Sequence, residues 1–136
     1  MEINTYLFFN GTCAEAFGFY EKTLGGRIVV MMTHRESPAA DSVPAEWQDK
    51  IIHARLEFGN RVLMASDAPP GQFSQPQGFA VQLHVDTPAQ AERLYKALSE
   101  NGTIRMPMQE TFFAARFGMF VDRFGTPWMV YCDPQK

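Results

Sequence analysis

Two rhythms of apolar and polar positions follow one another along the chain in a fixed order. Residues 4–9 (NTYLFF) are aromatic and β-prone and end at Asn10-Gly11, a turn signal that predicts a short strand. Thr12 stands three residues before Glu15, the pattern of a helix-opening box in which hydroxyl and carboxylate satisfy free amides. Cys13, Phe17, Tyr20 and Leu24 then form one apolar stripe at helical spacing. Gly25-Gly26 ends it, because glycine accepts the left-handed conformation of a helix terminus. Residues 27–34 are β-branched and Met-rich and predict a second strand. Residues 35–50 are polar, contain Pro38 and Pro44, and read as a long loop. In residues 51–58 Ile52, Ala54, Leu56 and Phe58 alternate with His53, Arg55 and Glu57, a half-buried strand. Gly59-Asn60 turns the chain into a fourth strand over 61–66.

The same order returns after the Pro/Gly/Gln-rich connector 67–78. Residues 79–85 alternate as a strand. Thr87-Pro88 opens a helix with the stripe Ala91, Leu94, Tyr95 and Leu98, which ends at Asn101-Gly102. Strands are predicted over 103–109, 114–121 and 126–132. The chain is thus β-α-β-β-β written twice, an internal repeat, within one domain of residues 1–136 whose modules cover approximately 1–67 and 78–136. The fold class is α+β. One helix covers one face of a four-stranded sheet, so the other face stays open, and two such curved mixed sheets are expected to frame an open groove suited to a small molecule.

Composition narrows the function. The 136 residues suffice for one core that buries roughly two-thirds of the extended chain's surface. Twelve Lys and Arg against 15 Asp and Glu give a net charge of −3, with no pull toward phosphate backbones, so nucleic acid is not an expected partner. No apolar run nears the ~20 residues of a membrane span, and no signal segment opens the chain. Cys13 and Cys132, the only two cysteines, make no disulfide framework and read as small buried hydrophobes. A reduced cytoplasmic protein is expected. The chain has neither a Gly-rich phosphate loop between strand and helix nor a Gly-x-Ser-x-Gly elbow.

The duplicated order, the segment Phe19-Tyr20-Glu21-Lys22-Thr23-Leu24-Gly25-Gly26 and the run from Phe117 to Met129 (FGMFVDRFGTPWM) resemble the vicinal oxygen chelate superfamily of glyoxalases, bleomycin-resistance proteins and extradiol dioxygenases. Within it they are similar to the PhnB-like branch, whose members often carry a 3-demethylubiquinone 3-methyltransferase-like label. Ile52-His53-Ala54, Met64-Ala65-Ser66-Asp67-Ala68 and Gln109-Glu110-Thr111-Phe112 carry the same resemblance. It implies a glyoxalase/bleomycin-resistance-like fold and a homodimer, and leaves the reaction open. The missing phosphate loop and the short chain speak against the methyltransferase label.

Metal-dependent members are similar in placing one His, Gln or Glu ligand on the first and last strand of each module. Matching strands puts those places near Thr5, at Leu63 or Met64, near Ala80 and at Met129. A thioether is a poor ligand for hard or borderline divalent ions. Gln82 or His84 restores one donor by a shift of register, but no carboxylate. No metal and no other cofactor is therefore expected.

The remaining candidates each carry two readings. His53, on the polar face of its strand, is a hydrogen-bonded structural imidazole or a general base touching the ligand. His84 and Gln82 share a face and line the second module's groove or face solvent. Gln109, Glu110 and Phe112 form a lip over the groove or a strand crossover pinned by Phe112 and Phe113. Arg116 is half of an ion pair, with Glu110 or Glu57, or an anchor for an anion. Trp47 is a lid or an interface residue. His34 is read as exposed, and Phe117, Phe120, Phe124 and Trp128 as core. The reading that follows is a small-molecule-binding PhnB-like protein with metal-independent chemistry assisted by His53. Its alternatives are a glyoxalase- or dioxygenase-type metalloenzyme built from His53, His84 and Glu110, and a resistance-type protein that sequesters its ligand without chemistry.

Overall fold

The computed structural model describes residues 1–135. It divides into two compact units, Met1–Ser74 and a second beginning at Gln75. Each contains one four-stranded mixed sheet that does not close on itself.

In the first unit the order is β1 (Thr5–Phe9), α1 (Cys13–Leu24), β2 (Arg27–Thr33), β3 (Ile51–Phe58) and β4 (Arg61–Asp67). The sheet runs β1-β4-β3-β2, with β1 parallel to β4 and the other pairs antiparallel. Leu7 and Phe9 of β1, Ala54 and Leu56 of β3, and Leu63 and Ala65 of β4 point toward α1 and are buried. They meet the stripe Cys13, Ala16, Phe17 and Tyr20, where Phe9 stands edge-on to Phe17 at 6.2 Å between ring centroids. Burying these side chains is the main stabilisation of the unit, at ~1.5–3 kcal/mol for each large one.

Two local expectations change here. Thr12 makes no side-chain capping bond. The amide of Cys13 is taken instead by Oδ1 of Asp67 at 2.9 Å, and Oδ2 of the same buried carboxylate accepts from the amide of Ile51 at 2.8 Å. An aspartate at the end of β4 thus holds the start of both α1 and β3. The two glycines after α1 also divide the work. Gly25 takes the left-handed conformation at φ 81°. Gly26 is needed for space, since a Cβ there would lie 2.6 Å from the Phe58 ring and 2.7 Å from the Glu57 carbonyl.

Segment 35–50 is less irregular than its composition suggests, for it holds two one-turn 3-10 helices, Ala40–Ser42 and Ala45–Trp47. Gln48 braces them by donating to the carbonyls of Ala40 and Val43 at 2.6 and 3.0 Å. His34, expected at the surface, is only 5% exposed, and neither ring nitrogen has a hydrogen-bond partner. The folded segment that follows covers what an extended loop would leave open.

The second unit repeats the plan with β5 (Val81–Val85), α2 (Pro88–Ser99), β6 (Thr103–Gln109), β7 (Arg116–Val121) and β8 (Pro127–Cys132), in the order β5-β8-β7-β6. Thr87 caps α2, its hydroxyl accepting from the amide of Gln90 at 3.2 Å. Ala91, Leu94 and Leu98 are buried on the side of the sheet that carries Phe120, Trp128, Val130 and Cys132. Tyr95 meets Phe120 edge-on at 5.6 Å. Trp128 is fully buried, and its Nε1 donates to Asp122 Oδ2 at 2.8 Å while Oδ1 accepts from the amides of Phe124 and Thr126. Trp128 and Phe120 are core, as their spacing suggests, and both cysteines are buried and free. No helix among the described residues is long and apolar enough to cross a membrane.

Candidate functional site

Because each helix covers one face of its sheet, strand alternation leaves a defined set of side chains on the opposite face. In the first unit these are Tyr6 and Phe8 of β1, His53, Arg55 and Glu57 of β3, and Met64 of β4. Register brings them together: Tyr6 pairs with Met64, and Met64 with Arg55. The Tyr6 ring stacks on the His53 imidazole at 6.2 Å and 26°, and leans on Phe8 at 5.0 Å. Tyr6 and Phe8 remain 39% and 53% exposed. His53 makes no hydrogen bond within its unit, and its ring contact is the stack on Tyr6. Beside it, Arg55 Nε and Glu57 Oε2 form a half-buried ion pair at 2.9 Å, which neutralises the polar edge of the platform.

In the second unit the helix-free face carries Gln82 and His84 of β5, Met129 and Tyr131 of β8, and Phe117 and Met119 of β7. Gln82 pairs with Met129 and His84 with Tyr131. His84 Nε2 lies 2.9 Å from Asp133 Oδ2, and its ring meets Tyr131 edge-on at 4.8 Å. The Tyr131 hydroxyl lies 3.1 Å from the Phe113 carbonyl and shares its one hydrogen between that oxygen and the Asp133 carboxylate, and the Phe113 ring lies parallel to that of Tyr131. The hydrogen bond from His84, and then that from Tyr131, hold the Asp133 carboxyl below its ordinary value. The Tyr131 phenol is pushed up, first by its hydrogen bond with Asp133 and then by desolvation. Asp133 and Tyr131 were not singled out from sequence. The only signal was period: residues 131 and 133 fall on the same face as 82 and 84.

Glu110, Phe112 and Arg116 do come together, but at a different place. They line an open cleft of about 470 Å³ with Pro88, Ala115 and Pro134. Arg116 pairs across β8 with Cys132 on the helix side of the sheet. Its partner is neither Glu110 nor Glu57 but Glu92 of α2, with Nε 2.9 Å from Oε1. The approach makes no directed hydrogen bond, so the pair is Coulombic. Phe112 is 99% exposed and pins no crossover, whereas Phe113 packs edge-on against Phe117 at 5.2 Å. Gln109 is exposed, cross-strand from Phe117. Trp47 is half-buried, with Cη2 3.4 Å from where a Cβ at Gly11 would stand and Nε1 buried without a partner.

Of the places that the resemblance marks for metal ligands, Met64 and Met129 lie on helix-free faces, cross-strand from Tyr6 and Gln82. Thr5 pairs with Leu63, which is buried on the helix side, and Ala80 precedes β5. Two thioethers, a phenol and an amide lack the carboxylate and imidazole donors a divalent ion needs. Among the described residues no group of three or more His, Cys, Asp or Glu is placed to hold a metal ion. The donor set does not fit the metal of the family.

Two modules of identical strand order, each with a helix on one face and aromatic and thioether side chains on the other, define the vicinal-oxygen-chelate class of fold. The model of the Glyoxalase/Bleomycin resistance protein/Dioxygenase superfamily matches residues 2–130, and the chain belongs to that superfamily. It is 33% identical to Protein YjdN of Escherichia coli (strain K12) over 144 residues, covering 100% of this chain and 98% of that one. Among solved structures it is similar to protein PA1353 from Pseudomonas aeruginosa, at 48% identity and a TM-score of 0.91, covering 99% of each chain. A Bacillus cereus PhnB protein, named for 3-demethylubiquinone-9 3-methyltransferase, shares the fold at 22% identity and a TM-score of 0.82, over 97% of this chain and 99% of that one.

Proposed function

We propose that the protein binds a small, planar, polarisable molecule on the helix-free face of its first unit and assists a metal-independent proton transfer through His53. The observation that supports this is the stack of Tyr6 on His53 beside exposed Phe8 and half-buried Met64. Aromatic and thioether groups offer dispersion contacts to a flat ligand, and the unbonded imidazole presents a nitrogen to it. Superfamily membership supports a small-molecule ligand without naming it. The chain on this reading acts as a cytoplasmic homodimer, with Trp47 close to the ligand.

Sequestration without chemistry is the second reading. It is favoured by one feature: no carboxylate of its unit orients the His53 ring for proton transfer. A thermal-shift screen of planar aromatic compounds separates the outcomes. Tyr6→Ala is expected to abolish the stabilisation given by a hit, whereas His53→Asn should remove turnover and only weaken binding. A hit unaffected by either substitution places the ligand elsewhere and overturns the proposal.

A further inference from the structure

We propose that His84 and Asp133 form a second proton-accepting pair, on the helix-free face of the second unit, that takes the proton of a bound phenol or enol. This inference rests on the preceding reading only for the idea that the protein holds a small ligand; its geometry belongs to the second unit alone. Asp133 Oδ2 lies 2.9 Å from His84 Nε2. A carboxylate can only accept, so with Asp133 ionised the shared hydrogen sits on Nε2. The remaining nitrogen, Nδ1, then carries the free lone pair and makes no hydrogen bond among the described residues. The ring cannot swing freely, because the Tyr131 ring stands edge-on to it at 4.8 Å. Tyr131 is in turn fixed by its hydroxyl on the Phe113 carbonyl.

The neighbours suit an O–H acid. Gln82 lies two residues before His84 on the same face of β5, at ~7 Å along the strand, and its amide can donate to an oxygen of the ligand. Met129, Tyr131 and Phe117 supply the apolar wall. In the step, the ligand O–H bond breaks, the proton bonds to Nδ1, and the electron pair stays on the ligand oxygen. The imidazolium so formed keeps its Nε2–H on Asp133, which stabilises the charge, and Gln82 donates to the new anion. His84 is the proton acceptor and Asp133 a positioning residue. Asp133 and Tyr131 are the titratable groups that face the imidazole.

The test uses the full-length, 15N-labelled protein and 4-nitrophenol, whose phenolate absorbs in the visible. Without ligand, at a pH set so that the imidazole is neutral, the side-chain nitrogen spectrum is expected to show the His84 hydrogen on Nε2, and Asp133→Asn to shift it toward a mixture of tautomers. Hydrogen on Nδ1, or a spectrum indifferent to Asp133→Asn, overturns the pair. On adding protein at a pH where the probe is partly ionised, the phenolate band should grow, and His84→Gln should remove that growth. No growth, or growth that survives His84→Gln, overturns the proton-accepting role. Both readouts are taken in a Tyr6→Ala/His53→Asn background, where a phenol held on the first-unit platform adds nothing to the band, so the first-unit reading and this one fail separately. Both His84 and Asp133 have side chains more than half exposed, so their substitutions do not threaten the fold.

Discussion

Asp67 Oδ1 accepts the amide of Cys13 at 2.9 Å, across 54 residues of sequence. With Oδ2 on the amide of Ile51, this one buried carboxylate starts a helix and a strand at once. Asparagine keeps a single acceptor and turns an N–H₂ toward a backbone donor. Asp67→Asn is therefore expected to cost about 2–4 kcal/mol, the sum of a lost charge-assisted bond and a stranded buried amide. Urea unfolding measures it, and a loss below ~0.5 kcal/mol, typical of surface positions, would mean that water replaces the carboxylate.

Asp122 does the same work in the second unit, and Trp128 depends on it. Trp128→Phe removes the Nε1 donor from Asp122 Oδ2 and leaves a void where a fully buried ring stood. A destabilisation of about 2–3 kcal/mol follows from the unmet acceptor and the cavity. Denaturation followed by circular dichroism checks it. If Trp128→Phe matches the parent, the bond to Asp122 is not a support of the turn.

Much of the architecture was legible because apolar periodicity records which face meets the helix. Phe17 and Tyr20, Ala54 and Leu56, and Leu94 and Leu98 lie where their spacing puts them. The sites were harder for a physical reason. A strand has period two, so a slip of one residue exchanges faces; that is why sequence alone left Leu63 and Met64 as alternatives, which the structure puts on opposite faces of β4. Asp67, Asp122 and Asp133 each follow or end a strand, and there an aspartate looks like ordinary turn chemistry. Their carboxylates act on amides, an indole and an imidazole far away in sequence or on a neighbouring strand, which no local pattern encodes. Arg116 was recognised as half of an ion pair, but its partner Glu92 lies on α2, and only the packing of helix on sheet reveals it.

The two glycines after α1 should respond differently to alanine. Gly25→Ala forces a Cβ into the left-handed region at φ 81°, a cost of about 1–2 kcal/mol. Gly26→Ala has an ordinary backbone angle but drives a methyl into the Phe58 ring and the Glu57 carbonyl, so β3 must move. It should be the worse of the pair by more than ~1 kcal/mol, as overpacking is. Equal effects in thermal unfolding would show that the Phe58 ring gives way cheaply.

His53 separates binding from stability. It is half-buried and makes only a stacking contact with Tyr6, so His53→Asn should change stability by no more than about 0.5–1 kcal/mol. A larger loss in urea unfolding would make the imidazole structural and remove the reason to seek chemistry there.

Tyr131 offers a readout by pH. Its phenol is raised above the ordinary value by the hydrogen bond with Asp133, so the fold favours the neutral form. A raised group contributes stability that is complete below its unfolded value and is lost as pH climbs through the folded one. The window therefore opens near the ordinary tyrosine range of ~10 and extends above it. Asp133→Asn takes away the first cause of the shift and should bring the Tyr131 titration down toward that range. Ultraviolet difference spectra at the tyrosinate band, with Tyr131→Phe subtracted to remove the other three of the four tyrosines, isolate the signal. An unmoved titration in Asp133→Asn would show that desolvation, not the carboxylate, holds the phenol up, and that Asp133 answers to His84 alone.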